Sequence, residues 1–252
     1  MTFQKPDTYP PYRIIGARRA GRWMVTCDHA ANTVPVWING GDLGIGAGDM
    51  ARHIAYDVGA AGVARALAGR LGAPAVLCGF SRLVIDPNRA ENDPTLVMKL
   101  SDGAIIPANR HVDAAERERR LNAFYRPYHR AVAEALAARH SPVMVAVHSF
   151  TPQLAGRAPR PWHVGLLYGD DTRLALPLLE RLRAEPDLCV GANEPYSGHL
   201  EGDSINRHAI RNGHPNVMIE IRNDLIANGA RQAAWAARLA PMLKDALAAA
   251  GA

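Results

Sequence analysis

The run Val-Met-Val-Ala-Val at 143–147 carries no polar residue at either parity, so a strand formed there must be covered on both faces. Such a strand belongs in the middle of a mostly parallel sheet, and the rest of the chain supplies what that sheet needs. Short β-rich runs recur at 23–27, 75–79, 83–85, 164–168, 188–190 and 217–221. Longer Ala-, Leu- and Arg-rich stretches lie between or after them, at about 48–71, 111–139, 171–184 and 229–249. Strands alternating with covering helices predict an α/β fold, a three-layer α/β/α sandwich. Pro127 is expected to kink or divide the second helical stretch, because its ring removes a donor and clashes with the preceding turn. Segments 86–110 and 149–162 are rich in Pro, Asn, Asp and Gly and read as irregular surface loops. No repeat or composition break divides the 252 residues, so a single domain over 1–252 is expected.

Composition narrows the function classes. With 48% hydrophobic and 21% charged residues the chain has ample core material, which excludes disorder and a small disulfide scaffold. No apolar run approaches the roughly 18 residues of a membrane span, and the opening segment has neither a basic nor an apolar signal region, so a cytoplasmic protein without a membrane partner is expected. Cys27, Cys78 and Cys189 are odd in number and lie at or near apolar runs, which fits a reducing compartment. The net charge of +5 does not form a stripe. Arg117, Arg119, Arg120, Arg126 and Arg130 share their stretch with Asp113, Glu116 and Glu118, so a solvated helix face is expected and no nucleic-acid partner. A basic pocket for a small anionic substrate accounts for part of the excess. The Gly-rich NGGDLGIGAG lacks a following GK[ST], and Ser149 lies in no GxSxG elbow, which argues against nucleotide binding and serine catalysis. Nothing in the pattern specifies an oligomeric state.

The sharper signal is positional. WMVTC runs into Asp28-His29, RLVID into Pro87-Asn88-Arg89, and VMVAV into His148-Ser149, while NVMIEIRND carries Glu220 and Arg222. The carboxyl ends of parallel strands form the crevice in which ligands bind. His29 and His148 follow different runs, so they can face one another and offer neutral imidazoles to one divalent cation. Zinc is the first choice, since it accepts two histidines and a carboxylate and keeps a position for water. Asp28 and Asp57 are the candidate carboxylates; Asp57 lies in the first helical stretch, where a surface or ligand-supporting role is the alternative. Glu220, among strong apolar neighbours, is either paired with Arg222 on the same strand face or held as a general base. Arg89 either staples its loop to Asp86 or Asp93 or presents a fork to a substrate carboxylate. Arg82, four residues ahead of Asp86, can polarise a carbonyl oxygen, and Tyr196 in EPYSG can donate to a ligand or pack.

Together, CDHAANTVP, SRLVIDPNR, VHSFTP, EPYSG and RHAIRNGHPNVMIEIRNDLI resemble the N-formylglutamate amidohydrolase family, in that family's order and over residues 23 to 229. The family is related in fold to zinc carboxypeptidases and aspartoacylases. The resemblance implies a phosphorylase/hydrolase-like α/β/α sandwich around a mixed, mostly parallel sheet. It also implies zinc-dependent hydrolysis of a small N-acylated amino acid, with N-formyl-L-glutamate, giving formate and glutamate, as the leading substrate. Position by position it assigns His29 and His148 to the metal, Asn88 and Arg89 to a substrate carboxylate, and Glu220 to the general base. Arg82 becomes a carbonyl-polarising residue, and Tyr196 and Arg222 candidate substrate contacts. One departure stands out: the wider group's first motif is His-x-x-Glu, whereas Asn32 follows His29 here. Asparagine is a poor zinc ligand, so Asp57 is the expected third ligand, with Asp28 and Asn32 as alternatives. Two rival functions remain at this point: the same chemistry on a short peptide or another N-acyl amine, and a metal-free binding module for a small acidic ligand.

Overall fold

The computed structural model describes residues 9–198 and 200–251. Its strands are β1 (Tyr12–Ile15), β2 (Trp23–Cys27), β3 (Ala75–Cys78), β4 (Leu100–Ser101), β5 (Ala104–Ile105), β6 (Val143–Phe150), β7 (Val164–Leu167), β8 (Val190–Ala192) and β9 (Asn216–Arg222). The α-helices are α1 (Ala47–Met50), α2 (Ala60–Leu71), α3 (Ala114–Arg120), α4 (Arg126–Ala137), α5 (Ala175–Arg183), α6 (Ser204–His208) and α7 (Gly229–Ala249). Seven strands form one sheet in the order β1-β3-β2-β6-β9-β7-β8, and β4 and β5 form a separate hairpin. The β2/β3, β2/β6, β6/β9 and β7/β8 pairs are parallel, while β1/β3 and β7/β9 are antiparallel. The sheet is therefore mixed and mostly parallel, with the continuous apolar run of β6 near its centre and buried at every position.

Alternation along the strands divides the core between two faces. Val25, Val145, Val217 and Ile219 pack with α2, α5 and α7. Met24, Met144, Ala146 and Met218 pack with α4 and the loop segments before it. Three layers result, as the strand and helix alternation requires. No helix among the described residues is long and apolar enough to cross a membrane.

Four local expectations are corrected. β1 was not anticipated, and the run expected at 188–190 pairs two residues later, as β8. The first helical stretch breaks into α1 and α2, separated by turns over 51–59. Gly59 ends that break in the left-handed region (φ 83°), and a Cβ there would meet the Ile226 carbonyl oxygen at 2.4 Å. Asp57 consequently stands in the turn before α2 and not on a helix. In the second stretch the helical backbone runs on from α3 through a five-residue π-helical turn, Leu121–Tyr125, into α4, and Pro127 follows directly after that turn, so the irregularity precedes the proline and the chain stays helical through it.

The fourth correction is 83–85, which is fully buried but joins no sheet. Two of its carbonyls are satisfied by side chains: Asn109 Nδ2 donates to Leu83 O at 2.7 Å and Arg120 Nη1 to Val84 O at 2.9 Å. Asn109 also donates to Met98 O and accepts from Arg120 Nη1, both at 2.7 Å. Asn109→Ala would strand two buried carbonyls and a guanidinium N–H. It is expected to destabilise the fold by about 2–3 kcal/mol in urea unfolding; a loss below about 0.5 kcal/mol would show that this network is dispensable.

Candidate active site

Strand parity decides which side chains meet. Asp28, His148 and Glu220 continue the alternation of Met24, Met144 and Met218, so they emerge on the α4 side at the carboxyl ends of β2, β6 and β9. His148 and Glu220 are register partners on adjacent strands. Asp57 is held there by its own backbone N–H, which donates to His29 O at 2.9 Å.

His29, Asp57 and His148 are buried and each offers a ligand atom within 4.8 Å of the others. Asp57 Oδ2 lies 3.3 Å from His29 Nδ1 and 2.9 Å from His148 Nδ1, and it accepts the Ser149 N–H at 3.2 Å. The two rings are edge-on, with centroids 5.0 Å apart and planes at 81°. Each ring's other nitrogen meets a second carboxylate: His29 Nε2 contacts Asp86 Oδ1 at 2.7 Å and His148 Nε2 contacts Asp28 Oδ2 at 3.0 Å. These outer acids are themselves fixed. Tyr128 OH donates to Asp28 Oδ1. Arg82 Nη2 and the Asn88 N–H donate to Asp86, each at 2.9 Å.

An imidazole with carboxylates on both nitrogens is held in one of two ways: doubly protonated, or with a cation in place of one proton. The outer Asp28 and Asp86 are the partners that metal-bound histidines use to fix tautomer and orientation. With Nδ1, Nδ1 and Oδ2 converging, the donor set fits a divalent ion. The electrostatics agree that positive charge belongs here. Burial opposes ionisation of Asp28, but hydrogen bonds from His148 and Tyr128 hold its pKa at about 2. Burial likewise opposes ionisation of Asp57 and Asp86, yet the His29 and His148 rings hold the first, and Arg82 and His29 the second, well below the ordinary carboxylate range. Burial disfavours the charged His148 ring, and Asp28 and Asp57 more than reverse that, raising it well above its ordinary value.

A cavity of about 1050 Å³ opens over this group, and its walls include Arg82, Asn88, Arg89, Tyr196 and Glu220. Glu220 is buried and its Oε2 has no hydrogen-bond partner among the described residues. Burial, reinforced by Asp57 and opposed by His148, pushes its pKa up to about 7. Arg82 Nη1 lies 3.6 Å from Asp57 Oδ1 while its Nη2 holds Asp86. Asn88 Oδ1 accepts the Ser204 N–H at 3.1 Å. Arg89 bonds to Asn88 O at 2.8 Å and Thr95 Oγ1 at 3.3 Å and forms no ion pair among the described residues. The Tyr196 loop is seated by Gly165, where a Cβ would fall 1.8 Å from the Glu194 carbonyl oxygen, and Arg160 Nη1 donates to Tyr196 OH at 3.2 Å.

Eight of the nine residues singled out from sequence thus share one site. Arg222 does not: it pairs with Asp224 at 2.9 Å and reaches the Arg160 and Trp162 carbonyls at 3.4 Å, away from the cavity wall and from Glu220. Of the alternative ligands, Asp28 is the outer partner of His148, and Asn32 is tied to the Met50 carbonyl at 2.8 Å. Sequence reasoning missed the central place of Asp86, the anchoring by Tyr128, and His53 and Asp203 on the cavity wall. An acid closing the apolar run RLVID, and a histidine four residues before Asp57, were the available signals.

A mixed α/β sheet with a His-Asp-His group and a buried acid at its carboxyl ends defines a hydrolase-like α/β protein with a candidate metal centre. The family model for N-formylglutamate amidohydrolase matches residues 21–227, and the chain belongs to that family. It is thereby placed among amidohydrolases of small molecules. The gene product Atu2144 from Agrobacterium tumefaciens is similar in structure, with a TM-score of 0.90 and 38% identity over 96% of each chain. An N-formylglutamate amidohydrolase from Ralstonia eutropha shares the fold at a TM-score of 0.65, with 24% identity over 96% of this chain and 97% of that one. A search of curated proteins gave no match.

Proposed function

We propose that the protein hydrolyses the amide bond of a small N-acylated amino acid, with N-formyl-L-glutamate as the leading substrate, and that it does so with a divalent ion, zinc by preference, held by His29, Asp57 and His148. The observation that carries this reading is the arrangement of the two imidazoles, each turned to Asp57 by one nitrogen and fixed by an outer carboxylate through the other. When bound, such an ion supplies a Lewis acid that lowers the pKa of water and polarises a carbonyl. Zinc suits two imidazoles and one carboxylate.

The chain's own groups do the rest. Arg89, without an ion pair among the described residues, and the Asn88 amide, whose oxygen is already held, bind the substrate carboxylate and so orient the acyl group. Glu220, poised near neutrality by burial, takes a proton from the attacking water and returns it to the departing amine nitrogen. Arg82 places positive charge beside the oxyanion as it develops, and Tyr196 contacts the substrate from the cavity wall. The size of the cavity, about 1050 Å³, supports a second reading with a larger N-acyl amine or short peptide.

Release of formate and glutamate from N-formyl-L-glutamate, compared with N-acetyl and dipeptide substrates, tests the proposal. Hydrolysis of none of them by zinc-supplied protein would overturn it. Arg89→Ala is expected to raise KM for N-formyl-L-glutamate by about 10- to 100-fold and to leave kcat nearly unchanged. A loss confined to kcat would move Arg89 from binding to the chemical step.

A further inference from the structure

His53 takes no part in the chemistry above, yet it lines the cavity next to Asp57. Its Nδ1 lies 3.3 Å from Asp57 Oδ1, the carboxylate oxygen not used by His29 and His148. The approach is misaligned, and both atoms are buried without a hydrogen-bond partner among the described residues. The residue lines the cavity, and its second ring nitrogen, Nε2, bonds to no described residue. A ring nitrogen 3.3 Å from a buried carboxylate oxygen favours the tautomer that carries its hydrogen there, Nδ1–H beside Asp57, and leaves the lone pair on Nε2. Contacts of this kind are often loose in the empty site and tighten when substrate fills it.

Resting on the hydrolase reading, we propose that His53 is a specificity residue whose Nε2 accepts the N–H of the scissile amide while Asp57 Oδ1 steadies the ring. The substrate class is then restricted to secondary N-acyl amines. An N-methylated amide has no hydrogen to offer, and neither does an N-acyl derivative of an imino acid. Accepting that N–H also sets the plane of the amide, so that the nitrogen lone pair formed on attack can face the protonated Glu220.

The test compares kcat/KM for N-formyl-L-glutamate and its N-methyl counterpart in zinc-supplied wild type, His53→Gln and His53→Asn, with zinc content measured on each. Glutamine places a polar atom where Nε2 stands, whereas asparagine reproduces only the Nδ1 position. Wild type and His53→Gln are expected to prefer the N–H substrate by about tenfold or more, and His53→Asn to lose that preference along with about tenfold in kcat/KM. Zinc content should stay at one per chain in all three. His53→Leu, which fills the space without a hydrogen-bonding atom, is expected to behave as His53→Asn and serves if the latter does not fold. Absence of the preference in wild type overturns the inference, as does its persistence in the asparagine or leucine variant. Loss of zinc in these variants would instead make His53 a ligand and likewise overturn it. Wild type inactive on both substrates defeats the hydrolase reading and this inference with it; an active wild type with an unaltered preference in the variants defeats the inference alone.

Discussion

Glu220→Gln is expected to lower kcat for N-acyl amino acid hydrolysis by about two to four orders of magnitude, with KM, zinc content and unfolding midpoint little changed. The reasoning begins in β9, where Glu220 is flanked by Ile219 and Ile221, buried, and paired in register with His148. A buried carboxylate whose Oε2 has no partner among the described residues contributes nothing evident to stability. Its burial does hold a proton affinity near neutrality, which is what a group that accepts and returns a proton needs. Glutamine preserves shape and hydrogen-bonding capacity but cannot accept the proton. Activity within about threefold of wild type would make Glu220 a structural acid and send the general-base role elsewhere.

His148→Ala is expected to abolish stoichiometric zinc binding and all measurable hydrolysis. The substitution removes one of three converging donors, and it also strips Asp28 and Asp57 of the ring lying between them. Leaving buried carboxylates without that partner costs about 3–5 kcal/mol, so the variant should also unfold earlier. Asp28→Asn separates the two consequences. It keeps every converging donor atom but weakens the support of His148 Nε2, so zinc affinity should fall by about 10- to 100-fold with stoichiometry retained. Full zinc occupancy in His148→Ala, measured by elemental analysis of folded protein, would remove His148 from the site.

Much of the site was legible because strand parity is a sequence property. Once 143–147 is read as a central strand, His148 must share a face with Met144 and Ala146, and the same counting brings Asp28 and Glu220 to that face. What parity cannot supply is which distant groups meet beyond the strand ends. Tyr128 reaches Asp28 across 100 residues, and His29 reaches Asp86 across 57. Both contacts depend on how α4 and the 81–89 segment pack over the sheet. The strand expected at 83–85 failed for a related reason, since its apolar pattern is equally that of a buried segment capped by Asn109 and Arg120. Arg222 misled because its spacing from Glu220 fits a same-face pair. The 3-10 turn at Asn223–Ile226 brings Asp224 back to it beyond the carboxyl end of β9, where the guanidinium keeps some contact with solvent.

Calorimetric titration of chelator-stripped protein with zinc, followed by assay of the same sample on N-formyl-L-glutamate, bears most directly on the His29–Asp57–His148 centre. One equivalent should bind per chain, and hydrolysis should return in proportion to occupancy. Hydrolysis undiminished by removal of metal, or a stripped protein that takes up no ion at this site, would contradict it.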